Sequence, residues 1–186
     1  MNKIPVKNIF AAVFAKSVLD PLLKLLDPKS TRFWGTEGTV KYLKSKGFEA
    51  KSIVKGFDFD GRVKSLDRKI FARILADRTN LKHLRELKRL KLTPFDLVVV
   101  DLYKPDPKNF PESMDIGGQA LIRAAVKNYK NVALAFDTRS LESIVGELIS
   151  NDNSTTLSFR KKQARSALKF IAERCKLEAN LFTKVL

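Results

Sequence analysis

Asp115, Ile116, Gly117 and Gly118, followed along the same run by Arg123, Lys127 and Asn128, are the residue types from which a reaction centre could be built. In the stretch DIGGQALIRAAVKN two glycines open a helical pattern, so backbone N–H groups can approach a ligand closely. Asp115 supplies an acid beside them, and Arg123 and Lys127 supply positive charge. That combination suits an anion with a proton-transfer group next to it. A glycine pair alone is weak evidence, and Asp115 has an ordinary alternative use as the cap of the following turn.

The run resembles the D-I-G-G-x-x-L-x-R-A-A-x-K-N signature of the IMP cyclohydrolase domain, the first half of the bifunctional AICAR transformylase/IMP cyclohydrolase of purine synthesis. Two upstream segments stand in the same order as in that family. Gly61-Arg62-Val63-Lys64-Ser65-Leu66 is similar to its G-R-V-K-T-L, and Asp101-Leu102-Tyr103-Lys104-Pro105 to its N-L-Y-P. The resemblance implies a ring closure in which the carboxamide nitrogen of a formamidoimidazole ribotide attacks its own formyl carbon and water leaves. Such a reaction needs a group to take the amide proton, donors for the tetrahedral oxyanion, an acid to expel hydroxide and a positive pocket for the 5′-phosphate. It needs no metal and no redox cofactor.

Carried over position by position, the resemblance implies Lys64, Tyr103, Asp115 and Lys127 as the catalytic set. Asp115 and Lys127 would stand at the reacting amide and formyl groups, Lys64 and Tyr103 would assist proton transfer, and the N–H groups of Ile116 and Gly117 would face the oxyanion. Arg62, Ser65, Gly118, Arg123 and Asn128 would complete the substrate contacts. The family's S-V-S-D-K-T-G loop corresponds to Ala11–Ser17, where only Lys16 and the hydroxyl of Ser17 are kept. Its S-G-G-T becomes Thr36-Glu37-Gly38-Thr39, and the H-P after K-T-L becomes Asp67-Arg68. The phosphate is therefore expected around Lys16, Ser17, Thr36, Gly38 and Thr39, with Glu37 repulsive if it points inward.

The resemblance covers nearly the whole chain and implies one domain over residues 1–186 with a methylglyoxal-synthase-like α/β/α sandwich, forming a homodimer. Nothing corresponds to the transformylase half, so formyl transfer is expected from a separate enzyme. The competing reading is a non-catalytic nucleotide-binding or regulatory domain of the same fold, as in carbamoyl phosphate synthetase. Loss of the serine loop favours it, and retention of the four catalytic identities favours the enzyme. A methylglyoxal synthase fits less well, because that enzyme's catalytic aspartates and histidine find no matching strings.

Composition narrows the classes further. With 44% hydrophobic residues in 186, the chain can bury a core of its own. One cysteine, Cys175, excludes an internal disulfide and a cysteine zinc cluster, which fits a reducing cytoplasm. The single histidine, His83, lies in KHLRELKRLK, which reads as a solvated helix face rather than part of a triad. A net charge of +16 favours anionic partners, and its peaks at Lys82–Lys91 and Arg160–Lys169 read as basic outer faces of amphipathic helices. Interleaved exposed aromatics, an RNP-like strand and a zinc finger are all missing, so a small phosphorylated metabolite is the expected partner and nucleic acid is not. The apolar run Ile9–Ala15 after Lys3 and Lys7 reads as a buried strand rather than a signal peptide, and no segment has the length of a membrane span.

These residues need a scaffold, and the pattern predicts one. Strands are expected at Asn8–Phe14, Arg32–Trp34, Glu49–Val54, Asp96–Leu102 and Val132–Phe136, alternating with amphipathic helices as in a parallel βαβ sheet. The helices are expected after Asp20-Pro21, with Asp20 as cap, at Thr39–Lys46 ending on Gly47, and at Lys69–Asp77, Leu81–Leu90, Ala120–Lys127 and Ser140–Ile149. A last one follows the polar connector Asn151–Ser154. The candidate residues then collect at the carboxyl ends of the strands. Lys127 would lie roughly 13 Å of helix beyond Gly118, so it can join Asp115 only by reaching back or from a dimer partner. The expectation is that Lys64, Tyr103, Asp115 and Lys127 bring their polar atoms within roughly 10 Å of one point.

Overall fold

The sheet is built from strands whose alternate residues feed two separate cores. The computed structural model describes residues 2–52 and 65–183. Five strands, β2 (Asn8–Ala12), β3 (Arg32–Gly35), β4 (Glu49–Ser52), β5 (Leu97–Val100) and β6 (Ala133–Ala135), pair in the order β4-β3-β2-β5-β6, and every pairing is parallel. Ile9, Ala11, Phe33, Leu97 and Val99 point to one face, where they meet Leu22 and Leu23 of α1 (Asp20–Leu25), Val40 and Leu43 of α2 (Glu37–Ser45) and Ile144 of α6 (Thr138–Ser150). Phe10, Val98, Val100 and Leu134 point to the other. There they pack on Ile70 and Ile74 of α3 (Arg68–Leu75), Leu121 and Ile122 of α5 (Ile116–Lys127) and Ala167 and Ile171 of α7 (Leu157–Phe182). The two-residue repeat of a strand thus produces the three-layer α/β/α sandwich expected from the sequence.

The five expected strands form at the expected places, with the end of the third, Val54, outside the described residues. Two further strands, β1 (Lys3–Pro5) and β7 (Ser154–Thr156), pair antiparallel beside the main sheet. Three-residue strands, one containing proline and one entirely Ser and Thr, leave no periodic signal. The polar connector before β7 turns through Asp152 and Asn153, which both adopt positive φ, as short Asx side chains tolerate. Helix α2 stops at Gly47, with φ of 86°, where the left-handed C-terminal residue was expected.

Asp20 is a correction. It lies inside α1, after a 3-10 turn at Lys16–Leu19, and its carboxylate accepts from the Tyr42 hydroxyl at 2.5 Å and pairs with Lys46 at 3.3 Å. It joins α1 to α2 instead of capping. Arg160 is another, because it is buried and donates to the carbonyls of Tyr129, Lys130 and Thr155, while Lys161, Lys162, Arg165 and Lys169 face solvent as expected. His83, exposed on α4 (Leu81–Arg89), accepts from the Asp77 N–H at 3.1 Å. No helix among the described residues is long and apolar enough to cross a membrane.

The chain runs from β2 through β3 to β4 on one side, then returns to β5 and β6 on the other. Between β2 and β5 the strand order reverses, and the loops leaving their carboxyl ends part to form a crevice.

Candidate active site

A cleft of about 750 Å³ occupies that crevice, a volume in the range of small-molecule sites. One wall is the segment after β2, which carries Phe14 and Lys16, together with the start of α2 at Thr36, Glu37 and Gly38. The other is the segment after β5, with Asp101 and Tyr103, and the first turn of α5.

The α5 wall owes its shape to Asp115. Its carboxylate caps the helix, accepting from the Gly118 N–H at 2.7 Å. A Cβ on Gly118 would come within 2.7 and 2.8 Å of the two carboxylate oxygens and within 2.4 Å of Leu102, and one on Gly117 within 2.0 Å of the Ser65 hydroxyl oxygen. Only glycines therefore allow the carboxylate and Ser65 to lie against this turn. The N–H groups of Ile116 and Gly117 have no partner among the described residues, as is usual at a helix start, and both residues line the cleft. An oxyanion placed there meets two donors and the positive end of the helix.

Tyr103 stands across from them, 44% exposed, with its hydroxyl donating to the Met114 carbonyl at 3.3 Å. Burial raises its phenol above the ordinary value, and the charge of Asp115 adds to the effect. Burial also raises the Asp115 carboxyl above the usual carboxylate range, as do the charges of Asp101 and Glu178, against the Gly118 N–H and Arg174, which favour the anion. Arg174, on α7, donates to the Tyr103 carbonyl at 3.0 Å and so tethers that strand end. Behind the turn, buried Glu178 accepts from the Gln119 amide at 2.8 Å. A carboxyl with raised affinity for its proton beside a phenol hydroxyl puts an acid–base group and a hydrogen-bond donor at one end of the cleft.

The opposite wall is held by two groups. Thr39 is fully buried, and its hydroxyl donates to the Val13 carbonyl at 3.3 Å and accepts from the Val13 N–H at 3.4 Å. Asp101 accepts from the N–H groups of Phe14 at 2.5 Å and Ala15 at 3.3 Å. Sequence reasoning passed over Asp101. The signal was a carboxylate where the resembling family's string has asparagine, since a carboxylate can accept two backbone N–H groups. Lys16 lines the cleft beside Gly38, but its ammonium donates to the Phe14 carbonyl at 2.6 Å. The Phe14 ring itself is 75% exposed.

The cleft therefore unites Tyr103, Asp115, Ile116, Gly117, Gly118, Ser65, Lys16, Thr36 and Gly38 of the expected residues. Lys64 and Arg62 lie outside the described residues. Ser17 is exposed without lining the cleft, and Thr39 holds the loop from inside, so neither hydroxyl faces it. Arg123 and Lys127 are exposed farther along α5, away from the cleft. The helix runs unbroken to Lys127 and returns antiparallel to the strands, so its last residue lies toward their amino ends, away from the cleft. Asn128 donates to the carbonyls of Ile74 and Ala76 at 2.7 and 2.9 Å, which commits its amide to the end of α3. Convergence of the whole set on one point does not occur within one protomer for Lys127. Among the described residues no group of His, Cys, Asp or Glu is placed to hold a metal ion.

No family model matches the chain. Over 171 residues it is 36% identical to the bifunctional purine biosynthesis protein PurH of Clostridium botulinum strain Hall, a match covering 86% of this chain and 34% of that protein. The same-named protein of Dinoroseobacter shibae is 34% identical over 176 residues, 88% of this chain and 33% of its own length. The chain is related to PurH. It spans about a third of the length of these curated relatives. A crystal structure of ForH superposes with a TM-score of 0.74 at 27% identity, covering 95% of this chain and 99% of that one. That superposition agrees with the methylglyoxal-synthase-like sandwich described above.

Proposed function

We propose that the chain is an IMP cyclohydrolase acting in purine biosynthesis. The observation that carries this reading is the meeting of the Asp115 carboxyl and the Tyr103 hydroxyl at the glycine-opened start of α5, in a cleft whose far wall carries Lys16, Thr36 and Gly38. Relatedness to PurH supports it. Asp115 accepts the proton leaving the carboxamide nitrogen as that nitrogen bonds to the formyl carbon. The formyl oxygen becomes an oxyanion facing the N–H groups of Ile116 and Gly117. It is protonated, and with a further proton its C–O bond breaks and it departs as water, while the formamido nitrogen gives up its own proton and the C=N bond of the closed ring forms. Tyr103 relays one of these protons. Lys64 belongs to the same proposal through its place in the family string, and Lys127 enters from a second copy of the chain. Lys16, Thr36 and Gly38 receive the 5′-phosphate.

Mixing the purified protein with 5-formamidoimidazole-4-carboxamide ribotide is expected to yield IMP, followed by chromatography, with equal rates in the presence of a chelator and without folate. Tight ribotide binding with no IMP formed would replace this reading by that of a non-catalytic nucleotide-binding domain. Two observations favour that second reading: Lys127 is absent from the cleft of its own protomer, and the Lys16 ammonium is engaged by the Phe14 carbonyl. The separate formyl-transferring enzyme, the homodimer and the cytoplasmic setting belong to the proposal.

Glu37 lines the cleft at the first turn of α2, where a carboxylate opposes a phosphate while favouring the helix. Glu37→Gly is expected to tighten IMP binding about two- to fivefold, the scale of one partly exposed like charge. Calorimetric titration checks it, and an unchanged affinity would place the phosphate elsewhere.

A further inference from the structure

A second cavity, of about 550 Å³, opens at the β3–β4 edge of the sheet beside the start of α3 and shares no lining residue with the cleft. Its walls carry four cations, Lys44, Lys51, Lys69 and Arg73, against one carboxylate, Asp67. That carboxylate is occupied, since it caps α3 by accepting from the N–H groups of Lys69 at 2.7 Å and Ile70 at 3.1 Å. Lys51 pairs with Glu49 at 3.1 Å, and Glu49 is shared with Arg32 at 3.0 Å. Lys44 and Lys69 are exposed and have no ion-pair partner among the described residues.

Arg73 is the unusual member. It is 3% exposed, with its guanidinium between the rings of Trp34 and Phe95, 3.8 and 3.7 Å from their centroids. It donates to the carbonyl and hydroxyl of Thr93 at 2.5 and 3.2 Å. Among the described residues no carboxylate lies within ion-pair distance of it. Asp96, the acid whose charge acts on it, is already taken by Arg78 at 2.5 Å and by the N–H groups of Lys7 and Asn8. Burial draws the guanidinium down to about 9, the mark of a charge enclosed without a counter-ion. A structural slot between two rings is filled as well by an apolar side chain, which carries no desolvation penalty. A guanidinium held rigid by stacking, facing a cavity with free lysines at its mouth, is instead suited to receive an anion.

We infer that this cavity is a second ligand site, which binds the polyphosphate group of a small molecule such as a nucleoside di- or triphosphate. The four cations line one cavity of bounded volume, which fits a compact anion better than the extended backbone of a nucleic acid. The inference is independent of the chemistry proposed for the cleft.

Trp34 is the only tryptophan of the chain and lines this cavity, so it reports occupancy directly. Titrating the full chain with pyrophosphate at constant ionic strength is expected to give a saturable change in tryptophan fluorescence. The double variant Lys44→Gln/Lys69→Gln, altered only at exposed positions, is expected to weaken it at least about tenfold, the worth of one charge-assisted hydrogen bond. Lys16→Gln in the cleft and Lys82→Gln/Lys88→Gln on α4 are expected to leave it within about twofold, since distant exposed charges are screened. The inference is overturned by the absence of a saturable change, by equal weakening in the α4 pair, or by loss in Lys16→Gln. It is also overturned if duplex DNA gives a tighter signal that the Lys44/Lys69 variant weakens.

Discussion

Asp115→Asn is expected to lower turnover of the ribotide at least about a hundredfold, the usual loss when a positioned proton-transfer group is removed, while the protein melts at or above the wild-type temperature at neutral pH. The two halves of this result come from one cause. Burial and the neighbouring charges of Asp101 and Glu178 raise the Asp115 carboxyl in the folded state. The fold therefore holds that proton more tightly than the unfolded chain does. Its contribution to stability is complete below the ordinary aspartate value and is lost as pH rises through the raised folded one. Above that raised value the buried charge opposes folding, and asparagine removes the charge while still capping α5, as the Gly118 N–H requires. The melting advantage of the variant should vanish in acid. The acid limb of the wild-type kcat/KM profile should lie above the usual carboxylate range and be missing from any residual activity of the variant. A variant that turns over normally removes Asp115 from the mechanism, and one that unfolds makes it a structural cap.

Asp115 also shows what could be read from the residues. Its two possible uses, as reacting acid and as helix cap, were both visible in Asp-Ile-Gly-Gly, and the geometry makes them one arrangement, because the oxygen that caps Gly118 belongs to the carboxyl that faces the cleft. The sheet was equally legible. Leu97–Val100 is apolar at every position because both faces of a central parallel strand are buried, and each of its residues is buried in the fold. What stayed hidden depends on phase and direction. Thr36 and Thr39 look alike in Thr-Glu-Gly-Thr, yet one turn of helix leaves Thr36 lining the cleft and carries Thr39 into the interior. Lys127 and Asp115 belong to one string, but a string gives no sense of which end of a helix faces the ligand. The ribbon of β1 and β7 is held by pairing across almost the whole chain, from Lys3 to Thr156, which no local pattern records.

Lys127 leads to the second large effect. It ends α5 in solvent, away from Asp115, so a mechanism that uses both must draw them from different copies of the chain. Asp115→Asn and Lys127→Ala are each expected to be nearly inactive when pure, with turnover down at least about a hundredfold. Dissociated, mixed in equal amounts and reassociated, they should recover about a quarter of wild-type activity, by the symmetry of a two-fold dimer. Half of the dimers formed are then mixed, and each mixed dimer joins the intact Asp115 of one protomer to the intact Lys127 of the other in one of its two sites. The second site of that dimer carries both substitutions and stays silent. Simple pairing of sites that each lie within one protomer gives no recovery, because every site then retains one lesion. A full-length chain that sediments as a monomer at assay concentration while turning over ribotide would remove Lys127 from the catalytic set. A mixture with no recovered activity, but with mixed dimers demonstrated by differential tagging, would do the same and leave Asp115 and Tyr103 to work with groups of their own protomer.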